Sequence, residues 1–127
     1  MLPLSPPVDA EQTVIAYLQP FLPEGVGIDV RGAGQHFVRV RRIGGVEMTP
    51  HHDRPVLDVI VYHDSDRERM QLALSLWTLL RAAAGEPAAE GVLYYGSTTL
   101  GPRQMPDPAD DVKTVCLFTV EMITRPA

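Results

Sequence analysis

Long hydrophobic runs are missing from this chain. No stretch approaches the length of a membrane span, so a bilayer-spanning helix is not expected. The opening MLPLSPPVDAEQ has no basic n-region and no apolar h-region, so it does not read as a signal peptide. Cysteine is almost absent: Cys116 stands alone, which excludes an internal disulfide and fits a reducing compartment. Aromatics are few, with three Phe, four Tyr and one Trp, which leaves little for a base-stacking surface. Positive charge is in deficit: 11 basic residues face 16 acidic ones, and the net charge of −5 argues against nucleic acid as the main ligand.

The chemical signatures of common enzymes are missing too. No Gly-x-Ser-x-Gly elbow is present. Gly32-Ala33-Gly34 lacks the third glycine and the preceding buried strand of a dinucleotide loop. His51-His52-Asp53 is conspicuous, but adjacent histidines do not match zinc spacings, and a solvated loop is the commoner reading. His36 and His63 fall on separate strands that can approach one another. Cys116 sits inside an alternating strand, where burial would make it a small hydrophobe rather than a nucleophile. Asp58 is more simply an arginine partner on a neighbouring strand than a general base. Neither metal nor cofactor is expected.

What is present is the material of one domain. At 127 residues and 45% hydrophobic content, the chain can bury a core without disulfides or metal. Residues 1–8 carry Pro3, Pro6 and Pro7 and read as an extended arm. Asp9 is a good N-cap with Gln12 behind it, and Ala10, Val14, Tyr17, Leu18 and Phe21 form the apolar face of a helix. Pro20 and Pro23 stop that helix near Gln19.

A short strand follows over residues 27–31, then a Gly32/Gly34 turn. From His36 to Ile43 the residues alternate, and Gly44-Gly45 is expected to end the strand before a polar loop over residues 47–54. The segment 57–63 is a β-branched strand. Asp64 or Ser65 caps a helix expected to run to about Ala84, stopped by Gly85 and Pro87. A strand at 91–99, a loop at 101–111 with Pro102, Pro106 and Pro108, and a last strand at 112–123 complete the chain. This order predicts an α+β sandwich: a mostly antiparallel sheet of about five strands, with two helices on one face.

Two features point to assembly. The second helix is apolar around roughly 220°, against about 100° for an ordinary surface helix. Leu72, Leu76 and Leu79 form a stripe that either the first helix or another subunit must cover. Charge is also segregated. Arg31, Arg39, Arg41, Arg42 and Arg54 crowd one region, and Asp107, Asp110 and Asp111 crowd the last loop. Arg39, Arg41 and Arg42 are therefore candidates for contact with the acidic loop of a neighbour, although two separate solvated patches are the ordinary alternative.

The run VRVRRIGG, a polar loop, RPVLDVIVYHDSDRERMQLALSLWTLLRAA and then GVLYYGS resembles the tail-terminator proteins of long-tailed bacteriophages, especially those of actinobacterial hosts. The resemblance extends from Asp9 to Thr124. It implies a ring, usually hexameric, that caps the growing tail tube in the virion, stops its polymerisation and meets the head-completion or neck proteins. It implies homo-oligomeric contacts, a tail-tube partner, assembly in the host cytoplasm and DNA that only passes through the lumen. It supplies no catalytic residues. A head–tail connector or stopper is the neighbouring alternative. A small-molecule-binding α+β module, with a pocket at Tyr94, Tyr95 and His63, is the alternative outside virions.

Overall fold

The computed structural model describes residues 7–32, 34–49, 52–110 and 112–127, with Glu47 and Met48 described by their backbone alone. The elements are α1 (Ala10–Leu18), a 3-10 turn (Gln19–Phe21), β1 (Gly27–Asp29), β2 (Phe37–Thr49), β3 (His52–Tyr62), α2 (Asp66–Arg81), β4 (Ala84–Ala88), β5 (Gly91–Pro106) and β6 (Thr114–Pro126). The six strands form one sheet in the order β1-β2-β3-β6-β5-β4. Among the described residues only β1 and β2 run parallel; the other pairings are antiparallel. The architecture is the expected α+β domain, with six strands rather than about five.

Both helices start as their caps dictate. Asp9 accepts from Gln12 N at 3.2 Å and Ser65 Oγ accepts from Glu68 N at 3.2 Å, satisfying first-turn amides that have no intrahelical partner. Both pack on the same sheet face. Val14, Ile15 and Leu18 of α1 and Ala73, Leu76 and Leu80 of α2 meet Val38, Val40, Leu57, Val59, Val61, Phe118, Val120 and Met122 in one core. The strand alternation places these residues on one side. Ile60, Tyr62, Val115 and Leu117 form a smaller cluster on the other.

The structure corrects four boundaries. Gly44-Gly45 does not end β2. The strand passes through a register shift between Arg42 and Gly44 and runs on to Thr49, so most of the expected loop is a long hairpin with β3. Gly45, at φ +113, lies so close to the partner strand that a Cβ there would stand 2.2 Å from Arg54 O. The proline-rich stretch after Gly101 is not all loop, because β5 continues to Pro106. Since β4 pairs only with residues 91–94, this part of β5 is a sheet edge, and prolines are tolerated there.

The third correction is that α2 stops at Arg81 and Gly85 belongs to β4, a strand the pattern did not foretell. The fourth is that β6 starts at Thr114 rather than at 112. Residues 1–6, most of the expected N-terminal arm, lie outside the described residues, as do Ala33, Pro50, His51 and Asp111.

Candidate assembly surfaces

The arginine strip is built by β2. On the sheet face away from the helices, Arg39 Nε donates to Val30 O at 3.0 Å and Arg41 Nη2 donates to Asp58 Oδ2 at 3.4 Å. The other Asp58 oxygen accepts from Thr119 Oγ1 at 2.6 Å, so this aspartate is an arginine partner between strands, as expected of it. Arg42 points to the helix side. Its guanidinium forms a two-pronged pair with Asp53, through Nη1 to Oδ2 and through Nη2 to Oδ1 at 2.9 Å, and its amide donates to Glu11 Oε2 at 2.9 Å. The Asp53 hydrogen bond raises the Arg42 pKa, against an opposing effect of burial. Arg54 Nε lies 3.5 Å from Glu121 Oε1. Three of the arginines thus find acidic partners inside the chain, and none of these partners belongs to the 107–111 loop.

The acidic loop divides into different roles. Asp107 is 5% exposed and accepts from the Tyr62 hydroxyl at 3.0 Å and from Ala109 N at 2.9 Å. It fastens its own turn. Asp110 is exposed, and its Oδ1 accepts from Val112 N at 3.2 Å. Asp111 lies outside the described residues. Of the helix stripe, Leu76 is wholly within the core, while Leu72 and Leu79 are half-buried against it. The Tyr17 hydroxyl of α1 donates to Leu79 O at 2.8 Å, so the first helix reaches this side of α2. Leu74 is left exposed.

Sequence reasoning missed three exposed apolar side chains at the ends of the sheet. Ile43 and Val46 lie on the β2–β3 hairpin, at 49% and 66% exposure, and Val112 lies in the β5–β6 turn at 89%. Alternation puts Ile43 and Val112 inside strands, and Val46 falls between Gly45 and the expected polar loop. A valine between Asp111 and Lys113 carries the signal of a turn as readily as that of a strand start.

Among the described residues no group of three or more His, Cys, Asp or Glu is placed to hold a metal ion. His52 Nδ1 pairs with Thr49 Oγ1 at 2.9 Å, and His51 lies outside the described residues. His36 and His63 do approach: their rings stack at 3.9 Å and 7°. His36 Nε2 lies 3.2 Å from Asp64 Oδ2, and His63 Nδ1 accepts from Ser65 N at 3.1 Å. A cavity of about 420 Å³ borders His63, Phe37, Tyr62, Arg69 and Lys113, but neither Tyr94 nor Tyr95 lines it. Cys116 is fully buried, and burial raises its thiol pKa. Among the described residues no helix is long and apolar enough to cross a membrane.

No curated protein matches this chain. The family described as "phage tail termination protein" matches it over residues 7–127, nearly its full length. The chain therefore belongs to the phage tail-terminator family, a family of structural tail proteins.

Proposed function

We propose that this protein forms a ring, most simply a hexamer, on the head-proximal end of the phage tail tube. The ring stops tube polymerisation and offers its far surface to the head-completion proteins, and DNA passes through its lumen. The observation that carries this reading is the family match over residues 7–127. Two features of the fold support it. The sheet ends in a long hairpin and a separate turn, each bearing exposed apolar residues. Charge is also left at the surface by Arg41, whose side chain is half-exposed, and by Asp110. In this reading Arg39, Arg41 and Arg42 on one side, and the Asp107–Asp111 loop on the other, flank the joint between subunits. Leu72 and Leu79 add apolar surface beside it. Leu76 and Asp107 contribute from within the fold, by holding α2 and the turn in place.

The test is electron microscopy of the purified protein and of tails assembled with and without it. Rings on tails of uniform length, and overlong tubes without the protein, are the expected outcome. Tubes of normal length without the protein, or no ring in either setting, would refute the reading. A head–tail connector would instead leave tube length unchanged and block only the joining of heads to tails.

A further inference from the structure

The β2–β3 hairpin and the β5–β6 turn lie at opposite ends of one sheet. Asp53, beside the hairpin turn, stands opposite Thr124 of β6, and β6 begins at Thr114 next to the other turn. Ten residues of strand, 124 minus 114, separate the two ends by roughly 33 Å at about 3.3 Å per residue. Features at these ends cannot touch within one chain.

The two ends are complementary. The hairpin carries the exposed Ile43 and Val46. Arg54 pairs with Val46 beside them, and Arg41 lies further along β2 across from Asp58; the two side chains are 39% and 41% exposed. The ion pairs are loose, at 3.4 Å from Arg41 to Asp58 and 3.5 Å from Arg54 to Glu121, so part of each guanidinium stays open to a second acceptor. A partly exposed guanidinium with a loose partner leaves room for a further carboxylate from outside. The turn offers one. It is held by Asp107 N to Lys113 O at 2.9 Å, Asp110 N to Asp107 O at 3.2 Å and Lys113 N to Asp110 O at 3.0 Å. On that frame stand the exposed Asp110 and, at 89% exposure, Val112.

We propose that the β5–β6 turn of one copy seats on the β2–β3 hairpin of the next. Val112 packs against Ile43 and Val46, and Asp110 faces Arg41 and Arg54. The contact joins two different surfaces, so it repeats head to tail and closes into a ring where the rotation permits. The occupant is a second copy because the chain itself carries both halves, apolar against apolar and acid against base. This contact rests on the ring reading above and specifies its joint.

Cysteine placement tests it. Cys116 is fully buried, so thiols introduced by Val46→Cys and Val112→Cys are the ones a short bis-maleimide reaches. The single variants alone should give no covalent dimer. Their mixture should give a dimer. The double variant should give a ladder up to the ring number, several-fold weaker when Asp110→Asn is added. Cross-linking within a single variant would mean that like surfaces meet, and would overturn the proposal. Rings seen by microscopy without the ladder would overturn this joint and leave the ring reading standing. Cross-linking on assembled tails to the tube protein instead of a second copy would assign the surface to that partner and overturn the proposal. Failure to oligomerise at any concentration or on tails would overturn both.

Discussion

The Tyr62 hydroxyl donates a 3.0 Å hydrogen bond to Asp107 Oδ1, tying the end of β3 to the β5–β6 turn across a buried contact. Tyr62 also stacks on Phe37, with ring centroids 4.2 Å apart. Tyr62→Phe keeps the stack and deprives a buried carboxylate of one donor, a loss of about 1–3 kcal/mol. The pH dependence follows from the tyrosine. Burial first, then the Asp107 hydrogen bond and charge, raise its pKa above 10.0, with Arg39 opposing. The folded chain therefore holds this proton more tightly than the unfolded one. The stabilisation is full below the unfolded value and is lost as pH climbs through the folded value. Urea midpoints of wild type and Tyr62→Phe should differ at about pH 8, and the gap should narrow as pH rises above the unfolded value of 10.0. A constant difference would mean that the hydrogen bond contributes nothing to the alkaline loss.

Asp53 has a side chain only 6% exposed, and Arg42 supplies both of its charged donors. Arg42→Ala leaves that carboxylate facing low dielectric without its counter-charge. The expected loss is about 2–3 kcal/mol, since hydrogen bonds to charged groups are the strong ones. Arg42→Lys keeps the charge but not the fork, and should fall between. Denaturant unfolding of the three proteins checks the order. Equal stability of Arg42→Ala and wild type would mean that Asp53 is solvated in solution.

Cys116 has no exposed surface, and its Sγ lies 3.7 Å from Met70 Sδ. Burial raises the thiol pKa, outweighing the lowering by Arg69 and Arg103, so little thiolate forms at neutral pH. A thiol reagent should label it slowly in the native state and quickly in denaturant. Fast native labelling would show that the β6 strand opens readily.

The residues that declared themselves in sequence are those whose roles are local. The Asp9 and Ser65 caps, the alternation from Val38 to Val40 and from Leu57 to Val61, and the burial of Cys116 depend on period and neighbours alone. What was hidden depends on distant partners. Gly44-Gly45 carries the composition of a turn, yet pairing with Val56 and Pro55 keeps the pair in a strand. Gly85 and Pro87 read as helix stops, and they do follow one, but β5 recruits them into β4. Arg69 is singled out by no local pattern in the sequence. It is buried because Gln104, 35 residues away, accepts from its Nε at 2.8 Å, and because Asp66 and His63 O take its other donors. The arginine strip was legible as a strip. Asp58 reads as an arginine partner, but which arginine it meets, and that Glu121 is the partner of Arg54, follow only from the strand order β2-β3-β6.

Those partners change what a charge reversal of the strip can report. Arg41 stands directly across from Asp58, so Arg41→Glu sets like charges opposite each other, at about 0.2–1 kcal/mol. Loss of assembly in that variant would mix a folding effect with a contact effect. Neutral replacements separate them. Arg39→Gln with Arg41→Gln removes the charge and leaves a shorter polar side chain with an amide donor, without setting a new negative charge beside Asp58. The fold should persist, seen as an unchanged circular dichroism spectrum and a melting temperature lower by a few degrees at most. Ring formation should weaken, and its salt dependence should flatten, because exposed charge pairs are screened over about 8–10 Å at moderate ionic strength. Ring fraction measured against ionic strength, for the wild type and the double variant, reads both effects. Parallel salt curves of equal height would remove these two arginines from the subunit joint and assign them to holding β2 against Val30 and Asp58.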